Sequence, residues 1–200
     1  LVGSSEEYGE VNERDLPIKE STDLCPSNPY AVSKVSQELY AKMYSKAYNL
    51  EIVMVRAFNH IGPGQSPKFA ISSFAKQIAQ IEKGIQKSEI LVGNLAAKRD
   101  FADVRDIVRG YWDLVRKGIS GEVYNIGSGQ SYSLQNLLQK MIDMSNKDIA
   151  IRIDQSKFRP IDIPELCADI TKIKEHINWQ PQIDINKTLY DVLAYWRTII

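Results

Sequence analysis

The sequence predicts an α/β fold in which the strands pair in parallel. Segments typical of strands alternate with segments typical of helices along most of the 200 residues. The predicted strands include short continuous apolar runs, such as residues 52–55, as expected of strands that are buried on both faces. Strand–helix alternation of this kind favours a layered fold around a parallel sheet.

The first half of the chain supplies two strands and two helices to this prediction. Residues 1–9 read as the end of a buried strand that runs into a loop. A helix is predicted over residues 30–48, because Asn28 is a good N-cap and Pro29 is favoured at the first helical position. A strand at residues 52–55 follows, and then a helix over residues 69–83 that ends at Gly84, a residue suited to a C-cap.

The second half continues the alternation. Strands are predicted at residues 89–92, 123–126 and 149–153 from their apolar runs. A helix over residues 103–117 ends at Gly118, and Ser133 is expected to cap a helix over residues 133–144. A short helix at 171–177 and an amphipathic helix at 186–198 complete the pattern. Residues 154–168 form the longest irregular stretch, and long ordered loops often carry function.

Composition excludes several classes of protein. Hydrophobic residues make up 44% of the chain, which is enough for a core, and 25 basic residues balance 25 acidic ones. Nothing here is typical of a protein that binds nucleic acid or a membrane surface. Cys25 and Cys167 stand far apart, which favours reduced thiols in a cytoplasmic protein. His60 and His176 lack partners at metal-ligand spacing, so no metal site is predicted, and His60 is expected to be a structural hydrogen-bonding residue.

The most informative chemistry lies at Tyr30 and Lys34. On a helix the two side chains stand on one face, one turn apart. A phenol with an ordinary pKa near ~10 gives up its proton poorly at neutral pH, and a fixed ammonium nearby favours the phenolate. The pair is therefore a candidate general acid or base for a carbinol or carbonyl oxygen. A hydroxyl from Ser4 or Ser5 would complete the site; the spacing by itself also fits a surface pair.

Several motifs together resemble the extended short-chain dehydrogenase/reductases that act on nucleotide sugars, the NAD-dependent epimerase/dehydratase family. The resemblance covers essentially the whole chain, and its most specific piece is the segment Asn-His-Ile-Gly-Pro-Gly-Gln. The matching segments follow in the family's order: residues 4–9, 29–34, 56–65, 93–94, 99–106, 121–129, 159–160 and 179–181.

The resemblance implies the C-terminal strands of a Rossmann-like doubly wound parallel sheet together with a small α/β substrate-binding domain. Residues 1–60 would carry the Ser/Tyr/Lys site. Residues 61–200 would mainly bind the nucleotide sugar, with the strand and helix around 89–126 partly returning to the sheet. A homodimer through a four-helix bundle that includes helix 30–48 is also implied, and the apolar stripe of that helix is compatible with it.

The implied activity is the NAD(P)H-dependent reduction of the 4-keto group of GDP-4-keto-6-deoxy-D-mannose to give GDP-D-rhamnose. The cofactor would be NAD or NADP, with NADPH plausible, and the substrate a GDP-sugar. A GDP-mannose 4,6-dehydratase or another nucleotide-sugar epimerase or dehydratase is the alternative. Glu6 keeps the dehydratase as an alternative, because related dehydratases use a carboxylate at this position to remove the C5 proton. Ser73 stands where some dehydratases have a lysine, which favours the reductase.

The resemblance also carries the family's functional positions onto this chain. Ser4, rather than Ser5, would hydrogen-bond the C4 oxygen that receives a proton from Tyr30, while Lys34 would also contact the nicotinamide ribose. The cofactor set is Tyr30, Lys34, Phe58 and Asn59. The substrate set is Asn59, Arg99, Arg159 and Asp162, in which the guanidinium groups suit a diphosphate.

One family feature is missing. The chain has no glycine-rich strand–turn–helix unit of the type that lets a backbone approach a pyrophosphate, and Gly127-Ser128-Gly129 lacks the third glycine. We therefore expect a chain that lacks roughly the first third of the enzyme, cannot hold the whole cofactor alone and is inactive by itself. The remaining alternative is a non-catalytic protein that binds nucleotide sugars.

Overall fold

Strands and helices alternate along the chain in the computed structural model, which describes residues 1–158 and 163–200. The strands are β1 (Val2–Ser4), β2 (Met54–Ala57), β3 (Asn59–Ile61), β4 (Glu89–Val92), β5 (Lys98–Asp103), β6 (Val123–Ile126), β7 (Ser131–Ser133), β8 (Ala150–Ile153) and β9 (Glu165–Leu166). The α-helices are α1 (Pro29–Tyr48), α2 (Ala70–Glu82), α3 (Val104–Lys117), α4 (Leu134–Asp143), α5 (Thr171–Ile177) and α6 (Ile185–Ile199).

The first of two compact units comprises residues 1–60, 99–131 and 163–182. Its sheet has the order β1-β2-β6, and both pairings are parallel. Arg56 in the central strand stands opposite Gly3 on one side and Asn125 on the other. The core beside this sheet is built around Tyr124 and Trp179, both fully buried. The parallel pairing predicted from the sequence is confirmed.

The second unit comprises residues 61–98, 132–162 and 183–200. Strands β4 and β8 pair in parallel. Helices α2, α4 and α6 pack against one another through apolar residues such as Ile78, Met141 and Leu189, all fully buried. The indole of Trp196 donates to the Ser72 hydroxyl at 3.0 Å, so this core also contains a satisfied polar pair.

The predicted helices agree with the structure to within one or two residues at each end, while the strands show two differences. Strand β2 lies two residues later than predicted because it continues through Arg56, whose charge is paired inside the protein. Strand β5 was not predicted, since it begins with three charged residues, and the short strands β3, β7 and β9 were missed as well.

The helix ends also show where turn residues act. Gly84 follows α2 with φ of 72°, in the left-handed region that glycine adopts readily. Gly118 follows α3 with φ of −66°, so it ends that helix in an ordinary extended conformation. Asn49 and Asn178 supply left-handed ends to α1 and α5.

No helix within the described residues is both long and apolar enough to cross a membrane.

Candidate active site

The loop that follows β1 is held by a reciprocal capping arrangement. The Ser4 side chain accepts from the Glu6 amide at 3.2 Å, and the Ser4 amide donates to Glu7 Oε1 at 2.7 Å. A Cβ at Gly3 would lie 2.3 Å from Glu7 Oε1, so only glycine leaves room for this carboxylate. The Ser4 hydroxyl is thereby fixed at the carboxyl end of a parallel strand, where α/β folds bind ligands.

A second contact ties this loop to the helix that carries Tyr30. Asn28 caps α1 by accepting from the Ala31 amide at 2.9 Å, and Pro29 occupies the first turn. The same Asn28 side chain donates to Glu6 Oε2 at 2.8 Å. The cap that starts the helix therefore also links it to the loop of Ser4.

Tyr30 and Lys34 lie one turn apart on α1, as predicted. The Lys34 ammonium is 5.7 Å from the centroid of the Tyr30 ring, and it donates to the Val2 carbonyl at 2.9 Å. Lys34 is thus attached to β1, two residues before Ser4. The Tyr30 side chain is about half exposed, so its phenol is open to a ligand.

Tyr111 on α3 was missed by the sequence analysis. Burial, and after it the charge of the neighbouring Tyr30 phenol group, raise the pKa of Tyr111 to about 12. Tyr111 therefore keeps its proton well above neutral pH. Only its position one helix turn after Ile107 could have been read from the sequence, and that spacing indicates a core residue.

Phe58 and Asn59, both predicted to contact a cofactor, have different environments. The Phe58 side chain is fully buried, with its ring centroid 6.3 Å from that of Tyr8. Only its backbone is left for ligand contact, and its carbonyl lies 3.1 Å from His60 Nδ1. Asn59 Nδ2 is buried and has no hydrogen-bond partner within the described part of the chain. An orphaned buried amide of this kind is a natural contact for a bound ligand.

The predicted substrate residues are only partly described. Arg99, in β5, is partly buried and donates to the Pro164 carbonyl at 3.4 Å. Arg159 and Asp162 lie outside the described residues, so their roles stay predictions. Asp103 and Arg105 form an ion pair at the start of α3, with a distance of 2.7 Å between Arg105 Nη2 and Asp103 Oδ2.

The arrangement suits proton transfer to a carbonyl oxygen. A serine hydroxyl and a phenol can both donate hydrogen bonds, and the ammonium of Lys34 adds a fixed positive charge on the same face. No group of three or more metal-ligating side chains occurs in residues 1–158 and 163–200. Together, the parallel α/β sheet and the Ser/Tyr/Lys residues are the features of a protein of the short-chain dehydrogenase/reductase type.

The chain belongs to the family described as GDP-mannose 4,6 dehydratase, whose model matches residues 1–192. It is 34% identical over 197 residues to the GDP-6-deoxy-D-mannose reductase of Pseudomonas aeruginosa. The aligned region covers 98% of this chain and 65% of that protein. It is 27% identical over 211 residues to the human GDP-mannose 4,6 dehydratase, and the aligned region covers 96% of this chain and 56% of that protein.

The fold comparison agrees with the sequence comparison. The structure of RMD from Pseudomonas aeruginosa complexed with NADPH has a TM-score of 0.95 and 33% identity to the chain, and it covers 100% of this chain and 66% of that one. The chain thus spans between about half and two thirds of the length of the relatives it matches.

Proposed function

We propose that the chain supplies the Ser/Tyr/Lys site of an NAD(P)H-dependent reductase that converts GDP-4-keto-6-deoxy-D-mannose to GDP-D-rhamnose. The observation that carries this proposal is the way in which Ser4 and the Tyr30–Lys34 pair are tied together. Asn28 links the helix start to Glu6, and Lys34 donates to the Val2 carbonyl. The 34% identity to a reductase over 98% of the chain supports the choice of substrate.

In this proposal, bound NAD(P)H would supply the hydride that C4 of the keto-sugar receives. Tyr30 gives the proton to the C4 oxygen, and the Ser4 hydroxyl donates a hydrogen bond to the same oxygen. Lys34 holds the nicotinamide ribose and places a positive charge beside the phenol. Both donors stabilise negative charge as it develops on oxygen, which is the point where preorganised donors are most effective.

Nucleotide-sugar binding is assigned to Asn59, Arg99, Arg159 and Asp162. The buried Asn59 amide that has no partner in the described residues supports a ligand contact there. We propose the cytoplasm as the location, in keeping with the free thiols of Cys25 and Cys167.

The second candidate is a GDP-mannose 4,6-dehydratase. Glu6 favours it, because this carboxylate lies two residues after Ser4 and is held in place by Asn28. The product distinguishes the two activities. A dehydratase consumes GDP-mannose without net cofactor oxidation, whereas a reductase consumes the keto-sugar with loss of nicotinamide absorbance.

Substitution of Tyr30 by phenylalanine tests the proposed role directly. In the full natural protein, the variant should lose at least about 100-fold in turnover, because positioned acid–base groups contribute that much or more. Tyr190→Phe is a matched control, since Tyr190 is equally exposed and Lys187 Nζ also lies 5.7 Å from its ring centroid. Turnover of Tyr30→Phe above about a tenth of wild type would contradict the role. Nucleotide-sugar binding without any turnover by the wild type would favour the non-catalytic alternative.

We further propose that two copies associate through a four-helix bundle that includes α1, as the family resemblance implies, and that α3 is the second helix of each copy. Both helices expose large apolar side chains, and exposed apolar patches of this kind often mark interfaces. On α1 these include Leu39, Tyr40, Met43 and Tyr48, and on α3 they include Val108, Trp112 and Val115.

A further inference from the structure

A buried arginine joins the two segments that carry the site residues. Arg56, in the central strand β2, is only 3% exposed. Its guanidinium forms a bidentate pair with Glu38, in which Nε is 2.9 Å from Oε2 and Nη2 is 2.7 Å from Oε1. Glu38 follows Lys34 by one helical turn and Tyr30 by two, so it belongs to the same face of α1. The ion pair therefore anchors that face to the sheet.

The same guanidinium also reaches the loop of Ser4. Arg56 Nη1 donates to the Tyr8 hydroxyl at 2.9 Å, and Nε lies 3.7 Å from Glu7 Oε2. Glu7 in turn accepts from the Ser4 amide, and the Tyr8 hydroxyl donates to Asn125 on β6 at 2.6 Å. Arg56 thus contacts partners of both segments.

Burial of these charged side chains costs desolvation free energy that apolar side chains would not cost. Burial raises the pKa of Glu7; burial also acts to raise the pKa of Glu38, but the hydrogen bonds from Arg56 and Lys42 outweigh it and hold that pKa below its usual range. Buried ion pairs often give no more stability than apolar residues of similar volume. What apolar side chains cannot supply is the fixed, planar geometry of a bidentate guanidinium.

We infer that Arg56 is a positioning residue that sets the Ser4 loop and the Tyr30–Lys34 helix face in register with each other. This inference rests on the proposed reductase activity. Arg56 is buried among protein groups and acts through Glu38 on one side and through Glu7 and Tyr8 on the other. Site groups must be held to within about 0.5 Å of their productive geometry, so a small shift between the segments is enough to slow catalysis.

A double-mutant cycle between Arg56→Lys and Tyr30→Phe in the full natural protein tests this inference. Lysine keeps the positive charge but cannot form the bidentate pair. In the wild-type background Arg56→Lys should lower kcat by about 10- to 100-fold with KM for the keto-sugar nearly unchanged, because misplacement by about 1 Å costs that much. In the Tyr30→Phe background, the same substitution should lower kcat by less than about 2-fold, because the two residues act as a unit.

The matched control is Arg197→Lys in the second unit. Arg197 also forms a bidentate pair, with Glu82 at 2.8 and 2.6 Å, and it donates to the Met144 carbonyl, so these partners all belong to the second unit. Its substitution should leave kcat unchanged in both backgrounds. If circular dichroism shows that Arg56→Lys does not fold, Tyr8→Phe completes the cycle, since it removes only the hydroxyl between Arg56 and Asn125.

The outcomes separate the inference from the proposed function. Equal losses of kcat from Arg56→Lys in both backgrounds, with Tyr30→Phe itself impaired, would refute the positioning role alone. A folded Arg56→Lys protein with wild-type kcat would refute it too. A Tyr30→Phe protein with near-wild-type turnover would refute the proposed catalytic role, and the inference with it.

Discussion

Replacement of Asp100 by asparagine should destabilise the protein far more than an ordinary isosteric change. Asp100 in β5 is fully buried, and its carboxylate accepts four hydrogen bonds. Oδ1 accepts from the Ser128 amide and hydroxyl, both at 2.6 Å, and Oδ2 accepts from the amides of Gly129 and Ala168 at 2.9 and 3.1 Å. One side chain thus holds the loop after β6 and the segment after β9 against β5.

The magnitude follows from how an amide fits among these donors. The less costly orientation turns the new NH₂ toward Ser128, whose hydroxyl can reverse and accept. The Ser128 amide then lacks an acceptor, at a cost of about 1–3 kcal/mol. The two bonds to Gly129 and Ala168 also lose their charge assistance, which costs roughly 1 kcal/mol each.

Relief of a buried charge offsets part of this loss, since burial, although opposed by the four hydrogen bonds, raises the pKa of Asp100. We therefore expect a net loss of about 2–4 kcal/mol in the free energy of unfolding at neutral pH. That is a large fraction of the roughly 5–15 kcal/mol that stabilises a typical domain.

Urea denaturation of the full natural protein, followed by circular dichroism, measures this loss. Asp143→Asn is the matched control, because Asp143 is exposed and accepts a hydrogen bond from the Gln139 side chain. The control should stay within about 0.5 kcal/mol of wild type. A loss below about 1 kcal/mol for Asp100→Asn would show that the four bonds do not hold the loop as the distances indicate.

Two further predictions concern ionisation and assembly. Because burial raises the pKa of Glu7, the folded protein retains a proton that the unfolded chain releases above about pH 4.3. The free energy of unfolding should therefore fall as pH rises through the raised pKa. Denaturation of wild type and Glu7→Gln across this pH range tests the prediction, and two parallel curves of unfolding free energy against pH would contradict it. For the proposed dimer, Leu39→Glu should yield monomers in sedimentation velocity, whereas Ile85→Glu, at a similarly exposed position of the second unit, should not. A wild-type protein that sediments as a monomer would exclude this interface.

Much of the helical structure could be predicted because its signals are local. Asn28 and Pro29 start α1, and the structure places Asn28 as the cap with Pro29 in the first turn. Ser133 caps α4 in the same way. A cap depends only on residues within one turn of each other, so the sequence alone contains the information needed.

The strands that begin with charged residues could not be predicted in this way. Lys98, Arg99 and Asp100 open β5, and a charged run normally indicates solvent. Asp100 is nevertheless buried, because its hydrogen-bond donors come from positions 28 to 68 residues away. Arg56 extends β2 beyond its apolar run for the same reason, since its partner Glu38 lies on another element.

The candidate site likewise combines features that are local in the sequence with features that depend on distant contacts. Tyr30 and Lys34 are one helical turn apart, and that spacing is visible in the sequence. What the sequence does not reveal is how the segment of Ser4 is tied to this helix, because that depends on contacts between distant segments, from Lys34 to the Val2 carbonyl and from Arg56 to both Glu38 and Tyr8. Side chains that perform chemistry follow recognisable local patterns, whereas the residues that hold them in place are constrained only by three-dimensional contacts. The role proposed for Arg56 is therefore accessible only from the folded structure.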